Sequence, residues 1–332
     1  MAILADGNRD TEAAWQQGLF ILVGFPNSLE VEIVFLVVFL FVYLVTVLAN
    51  ALIIILVYHR ITEFLDCHLH SPMYYFLSNF SFIEISTTST LVPKILANVL
   101  SEKKTISFAG CFSQLYFYFS LVAAEFLLFA IMSYDRYVAI CHPLRYPTIM
   151  MGRVCNQLVL SVWVGGLLVI LPSAVLRAGL PYCGPNVIEH YFCDSTPLLR
   201  LACTDVWVVE LTDLVVSSVL LLGSLALTAA SYVRIISTIL WIPSNQGRQK
   251  ASATCASHFV VVSLGFGISI FIYLRPPQMN SVHLNKILSV LSSIVTPLLN
   301  PFIFSLRNEQ MKEALKRTLC KLLGMTKQVG NP

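Results

Sequence analysis

The sequence predicts an all-α membrane protein: a seven-transmembrane helix bundle with a short amphipathic C-terminal helix. Two observations predict it. Of 332 residues, 57% are hydrophobic and only 12% are charged, with a mean hydropathy of +0.76. Soluble domains sit nearer 45–50% apolar. Seven apolar runs, near 31–58, 72–99, 109–134, 154–176, 206–240, 252–274 and 284–305, each reach the roughly 20 residues that cross a bilayer core of about 30 Å.

The first run follows a polar stretch. Residues 1–18 contain Asp6, Arg9, Asp10 and Glu12 and no sustained apolar core, so no signal peptide is expected and the first run serves as its own insertion signal. The predicted organisation is an extracellular segment (1–30), a membrane domain (31–305) and a cytoplasmic amphipathic helix and tail (306–332). Basic residues orient it: 13 of the 21 Lys and Arg residues fall on one side if the N-terminus is outside and the C-terminus inside. The net charge of +3 is too small to suggest nucleic acid.

Cys111, Cys183, Cys193 and Cys203 then share the outer side, where disulfides persist. Four cysteines allow three connectivities, and spacing does not choose among them. Cys67, Cys141, Cys155, Cys255 and Cys320 read as free thiols, with Cys320 a candidate for palmitoylation.

The third run carries the most informative polar pattern. At 100° per residue, Tyr118, Glu125 and Arg136 lie within about 20° of one face, over about 27 Å. Such a face must point into the bundle. Glu84 in the second run, Glu125 and Asn300 in the seventh could share one buried site. Two carboxylates that close would share a proton or bind sodium, so the three form a candidate sodium site; packing alone is the alternative. No other cofactor is expected. Asp135 beside Arg136 reads either as a helix-end ion pair or as a lock released when helices separate. After the last run, Met311, Leu315, Leu319 and Leu322 form one stripe, as in a helix lying in a membrane interface.

Five stretches carry a family resemblance: "SPMYYFLSNFSFIEI" (71–85), "MSYDRYVAICHPLRY" (132–146), "SYVRII" (231–236), "KASATCASH" (250–258) and "PLLNPFIFSLRN" (297–308). Together they resemble the class II (tetrapod-type) olfactory receptors of the rhodopsin-like G protein-coupled receptor family, over about residues 20–325. The resemblance implies disulfides Cys111–Cys193 and Cys183–Cys203. It implies that Asp135, Arg136 and Tyr137 form the G protein switch, with Tyr232, Lys250 and His258 around the same inner mouth. It also implies coupling to the stimulatory olfactory G protein and cyclic AMP. The ligand, a small-molecule odorant, would bind between helices three, five and six. There the chain places Tyr118, Phe119, Val122 and Ala123, then Val216, Ser217 and Leu220, then Phe266, Ser269, Ile270 and Tyr273. This lining is apolar with a few hydroxyls and suits a neutral volatile that Ser217 orients, while Asp213 either faces the outer loop and water or points inward, where it would admit a weakly basic ligand.

The chain departs from the family pattern in four places. Gly265-Phe266-Gly267 and Phe304 each lack a usual tyrosine. The first inner loop is longer, and the N-terminal glycosylation sequon is missing. The competing classes are a multi-pass transporter and a receptor for a non-odorant molecule. No internal repeat supports the transporter, and no nucleophile–base or metal motif supports an enzyme.

Overall fold

The computed structural model describes residues 18–24, 29–63, 72–101, 103–183, 185–273 and 282–307. At 29, 59–63, 250–251, 253–254, 257, 272–273, 282–283, 285 and 305–307 it describes the backbone alone. The expected C-terminal amphipathic helix, Cys67, Cys320 and the long first inner loop lie outside the described residues.

Seven long helical units cross the bundle: α1 (Leu29–Glu63), α2 (Pro72–Leu100), α3 (Phe108–Cys141), α5 (Gly152–Ala178), α7 (Trp207–Leu240), α8 (Asn245–Tyr273) and a composite last unit. The last unit joins α9 (Val282–Val290) to α10 (Thr296–Arg307) through a π-helical turn, Leu291–Val295. Short helices α4 (Tyr146–Ile149) and α6 (Ser195–Leu199) lie in the connections. Among the described residues, five helices are long and apolar enough to span a membrane by length and composition. α2 and α8 are as long but more polar, because they carry Ser, Thr, Glu or His residues that face the bundle. α1 instead displays Val34, Val37, Phe41, Leu44 and Leu48 on its outer surface, as a lipid-facing helix must.

Several helices overrun the apolar stretches that predict them. The third run ends near 134 in sequence, whereas α3 continues to Cys141. Hydropathy reports the surrounding solvent, and a helix that leaves the bilayer keeps its backbone hydrogen bonds. α3 starts at Ser107, whose side chain accepts from the Gly110 amide at 3.1 Å. Inside the helices, hydroxyls turn back onto carbonyls one turn earlier, as Thr46 does to Val42 and Ser133 to Phe129, both at 2.8 Å. At the π turn, Thr296 Oγ1 donates to Leu291 O at 3.0 Å.

Two glycines allow close approach. A Cβ at Gly166 of α5 would stand 2.7 Å from the Ser120 carbonyl oxygen of α3, and one at Gly265 of α8 would stand 2.9 Å from the Phe129 ring. Small residues at helix crossings are how bundles gain van der Waals contact where lipid supplies no hydrophobic drive.

A small sheet was not foreseen in an all-α reading. β1 (Leu19–Leu22) pairs antiparallel with β2 (Thr105–Ser107) and parallel with β3 (Val187–Ile188). Phe20 and Leu22 are buried beneath it against Ile106, Leu115 and Ile188. Lys286 of α9 donates to the carbonyls of Val23 and Gly24 at 3.1 and 2.7 Å, tying the strand's end to the last helical unit. Strands of four, three and two residues leave no periodic trace in sequence.

Candidate functional site

Both disulfides lie at the sheet end of the bundle. Cys111 on α3 is bonded to Cys193, and Cys183 to Cys203, with Cα separations of 5.4 and 5.8 Å. The Cys193 amide also donates to Gln114 Oε1 at 3.1 Å, so the loop is pinned to α3 twice. Next to it, His190 is buried, and that burial pulls its imidazole below the ordinary histidine range.

Beneath this loop a cavity of about 380 Å³ opens between α3, α5, α7, α8 and α9. Tyr118, Phe119, Val122 and Ala123 of α3, Val216, Ser217 and Leu220 of α7, and Ser269 of α8 all line it. Phe266 and Ile270 do not. Phe266 is buried against the rings of Phe126 and Phe129, at centroid distances of 5.3 and 6.0 Å, and Ile270 packs against the same core. The spacing places both on α8's inward face, but the rings of Phe126 and Phe129 cover Phe266 there. Tyr273 lies where only the backbone is described.

The sequence leaves the direction of Asp213 open and does not single out the partners that build the cavity's polar wall around it. Asp213 does not face water alone: it lines the cavity and is paired with Arg177 near the end of α5. Arg177 also donates to Ser173 at 2.9 Å and to Ser195 at 2.7 Å. Both of those hydroxyls donate in turn to the Asp213 carboxylate. Asp194, Thr196, Ser289 and Ser292 complete the polar lining. Ser217 donates to the Asp213 carbonyl of its own helix at 2.6 Å, so its proton is committed to backbone.

At mid-depth, Asn300 Nδ2 donates to Glu84 Oε1, and both residues are buried. Asn300 Oδ1 and the hydroxyls of Ser81, Thr87 and Ser120 are buried polar atoms with no hydrogen-bond partner among the described residues. Glu125 is half-buried and close enough to Glu84 for the two charges to interact. Among the described residues, no cluster of three or more His, Cys, Asp and Glu could hold a metal.

At the opposite end, Asp135 and Arg136 are both buried and form an ion pair, with Arg136 Nε 2.9 Å from Asp135 Oδ2. Tyr146 on α4 donates to the other carboxylate oxygen at 2.7 Å. Tyr137 is half-buried, with its hydroxyl 3.0 Å from His142 Nε2. Tyr232 of α7 meets His258 Nδ1 of α8 at 2.6 Å, in a cluster with Ile235 and Cys255. Only the backbone is described at Lys250. Phe304, where the family usually has tyrosine, is buried with its ring 5.8 Å from Phe80, inside an apolar core.

A seven-helix bundle with a capped cavity at one end and a buried Asp–Arg ion pair at the other has the form of a multi-pass membrane receptor. Residues 39–322 match the family model described as "Olfactory receptor". The chain is 50% identical over 319 residues to human Olfactory receptor 6S1, covering 96% of this chain and 93% of that one. It is 50% identical over 307 residues to human Olfactory receptor 6J1 (92% and 86%), and 48% identical over 300 residues to human Olfactory receptor 6T1 (90% and 91%). The chain belongs to the olfactory receptor family, whose members are odorant-binding G protein-coupled receptors and not enzymes.

Proposed function

We propose that the chain is a plasma-membrane odorant receptor that binds a small neutral volatile in the 380 Å³ cavity and activates a stimulatory heterotrimeric G protein, raising cyclic AMP. In this reading the N-terminus and disulfide end are extracellular, and the Asp135–Arg136 end and C-terminus are cytoplasmic. The observation that carries it is the continuity of α3. One helix lines the cavity with Tyr118 and Val122 and, about 27 Å along, holds the Asp135–Arg136 lock. Ligand that shifts α3 against α7 and α8 acts on both ends at once. The test is an odorant panel on cells expressing the chain, reading cyclic AMP and ion flux in parallel. A cyclic AMP response to one or more odorants is expected. Ligand-driven flux without cyclic AMP supports the transporter alternative.

The Glu84, Glu125 and Asn300 group supports a structural sodium ion. The buried Glu84 carboxylate and Asn300 Oδ1, which has no partner among the described residues, are hard oxygen donors of the kind such a cation takes. Replacing sodium by choline at constant ionic strength is expected to lower the thermal stability of the purified receptor. Equal stability in both salts favours the shared proton instead.

A further inference from the structure

The Arg177–Asp213 pair presents its two members to the cavity unequally. The Arg177 side chain is only 4% exposed, whereas that of Asp213 is 28% exposed. Both terminal nitrogens of Arg177 are engaged, on Ser173, Ser195 and Asp213, and its Nε is buried with no partner among the described residues. Arg177, Ser173 and Ser195 line the cavity too, but their terminal donors are already engaged, so the carboxylate of Asp213 is the member with capacity left for a ligand. It accepts from Arg177, Ser173 and Ser195, and a carboxylate offers about four acceptor positions, so one direction stays open.

We propose that Asp213 accepts a hydrogen bond from the ligand, so that the cavity selects volatiles bearing a hydroxyl group, alcohols and phenols, over the ethers and carboxylates of the same skeleton. This rests on the odorant-receptor reading. The charges on the lining support it. Arg177 already neutralises Asp213, and Asp194 adds a second negative charge to the wall. An anionic ligand is repelled there. An ammonium would have to give up its water to share a carboxylate that a guanidinium already holds. A neutral hydroxyl meets neither penalty. Ser217 is a poor rival as donor, because its proton is directed to its own helix.

The test uses purified full-length receptor and linear, branched and aromatic probe sets, each an alcohol, its methyl ether, its carboxylate and its amine. Binding is read as ligand-induced thermal stabilisation, and cyclic AMP is read separately in cells. In at least one set the alcohol is expected to bind about tenfold or more tightly than the ether, as a hydrogen bond to a charged group warrants. The double variant Arg177→Met/Asp213→Leu removes both partners and so leaves no buried unpaired charge. It is expected to bring alcohol and ether to parity. Should that variant fail to reach the membrane, the wild-type ratios decide alone. Parity in wild type, an unchanged ratio in the double variant, tighter amine than alcohol binding, or no binding by any probe overturns the proposal. Alcohol-selective binding with no cyclic AMP response overturns the receptor reading and leaves this one standing; parity with a full response does the reverse.

Discussion

Asp135 and Arg136 are neighbours in sequence, and helical geometry alone does not make neighbours touch. Here they do, because Tyr146 holds the carboxylate from α4 while the guanidinium folds back along it. Burying two charges is costly unless geometry and added hydrogen bonds compensate, and Tyr146 supplies one such bond. That assigns Tyr146 a role the sequence did not suggest: it restrains the acid that restrains the arginine. Tyr146→Phe, which keeps the ring and loses the hydroxyl, is expected to raise ligand-independent cyclic AMP at matched surface level. Basal signalling equal to wild type would remove Tyr146 from the lock. The same residue-scale lesson applies at the cavity. Arg177 reads in sequence as an ordinary charge at the end of a run, and its partner Asp213 lies 36 residues on. Nothing local announces that pair; only the packing of α5 against α7 creates it.

Elements were more legible than contacts. Seven apolar runs located the seven helical units, because twenty apolar residues have few alternatives in a bilayer. Helix ends escaped, since α3 runs past its apolar stretch to Cys141. The sheet escaped too, since β1 depends on pairing with β2 and β3 rather than on its own pattern. Helix spacing is set by residues such as Gly166, where α5 meets the α3 backbone at Ser120. Gly166→Ala is expected to force the two helices apart and destabilise the receptor by about 1–3 kcal/mol, the range for overpacking. Gly223→Ala on α7, where an added Cβ meets nothing within 4 Å, serves as the control. Thermal unfolding of the two purified variants compares them directly, and equal melting temperatures would contradict the close-approach account.

At the scale of the whole molecule, one helix, α3, contributes residues to two regions of different chemistry, the cavity and the Asp135–Arg136 pair. The disulfide end was legible as a pocket through Tyr118, Phe119, Val122, Ala123, Val216, Ser217, Leu220 and Ser269, which all line the cavity. Phe266 and Ile270 pack into the core and do not line the cavity, because a helical period gives a face but not what covers it. The opposite end was legible through its motif, and the structure adds the partners that hold it: Tyr146 on Asp135, and Tyr232 on His258. The central claim is that Arg136 transmits ligand binding to a G protein and does more than anchor a helix end. The most direct measurement is odorant-stimulated cyclic AMP in Arg136→Ala against wild type, at matched surface expression. The account expects the response to be abolished while the variant still reaches the surface; a normal response would contradict it and leave Asp135 and Arg136 as an ion pair that only anchors α3.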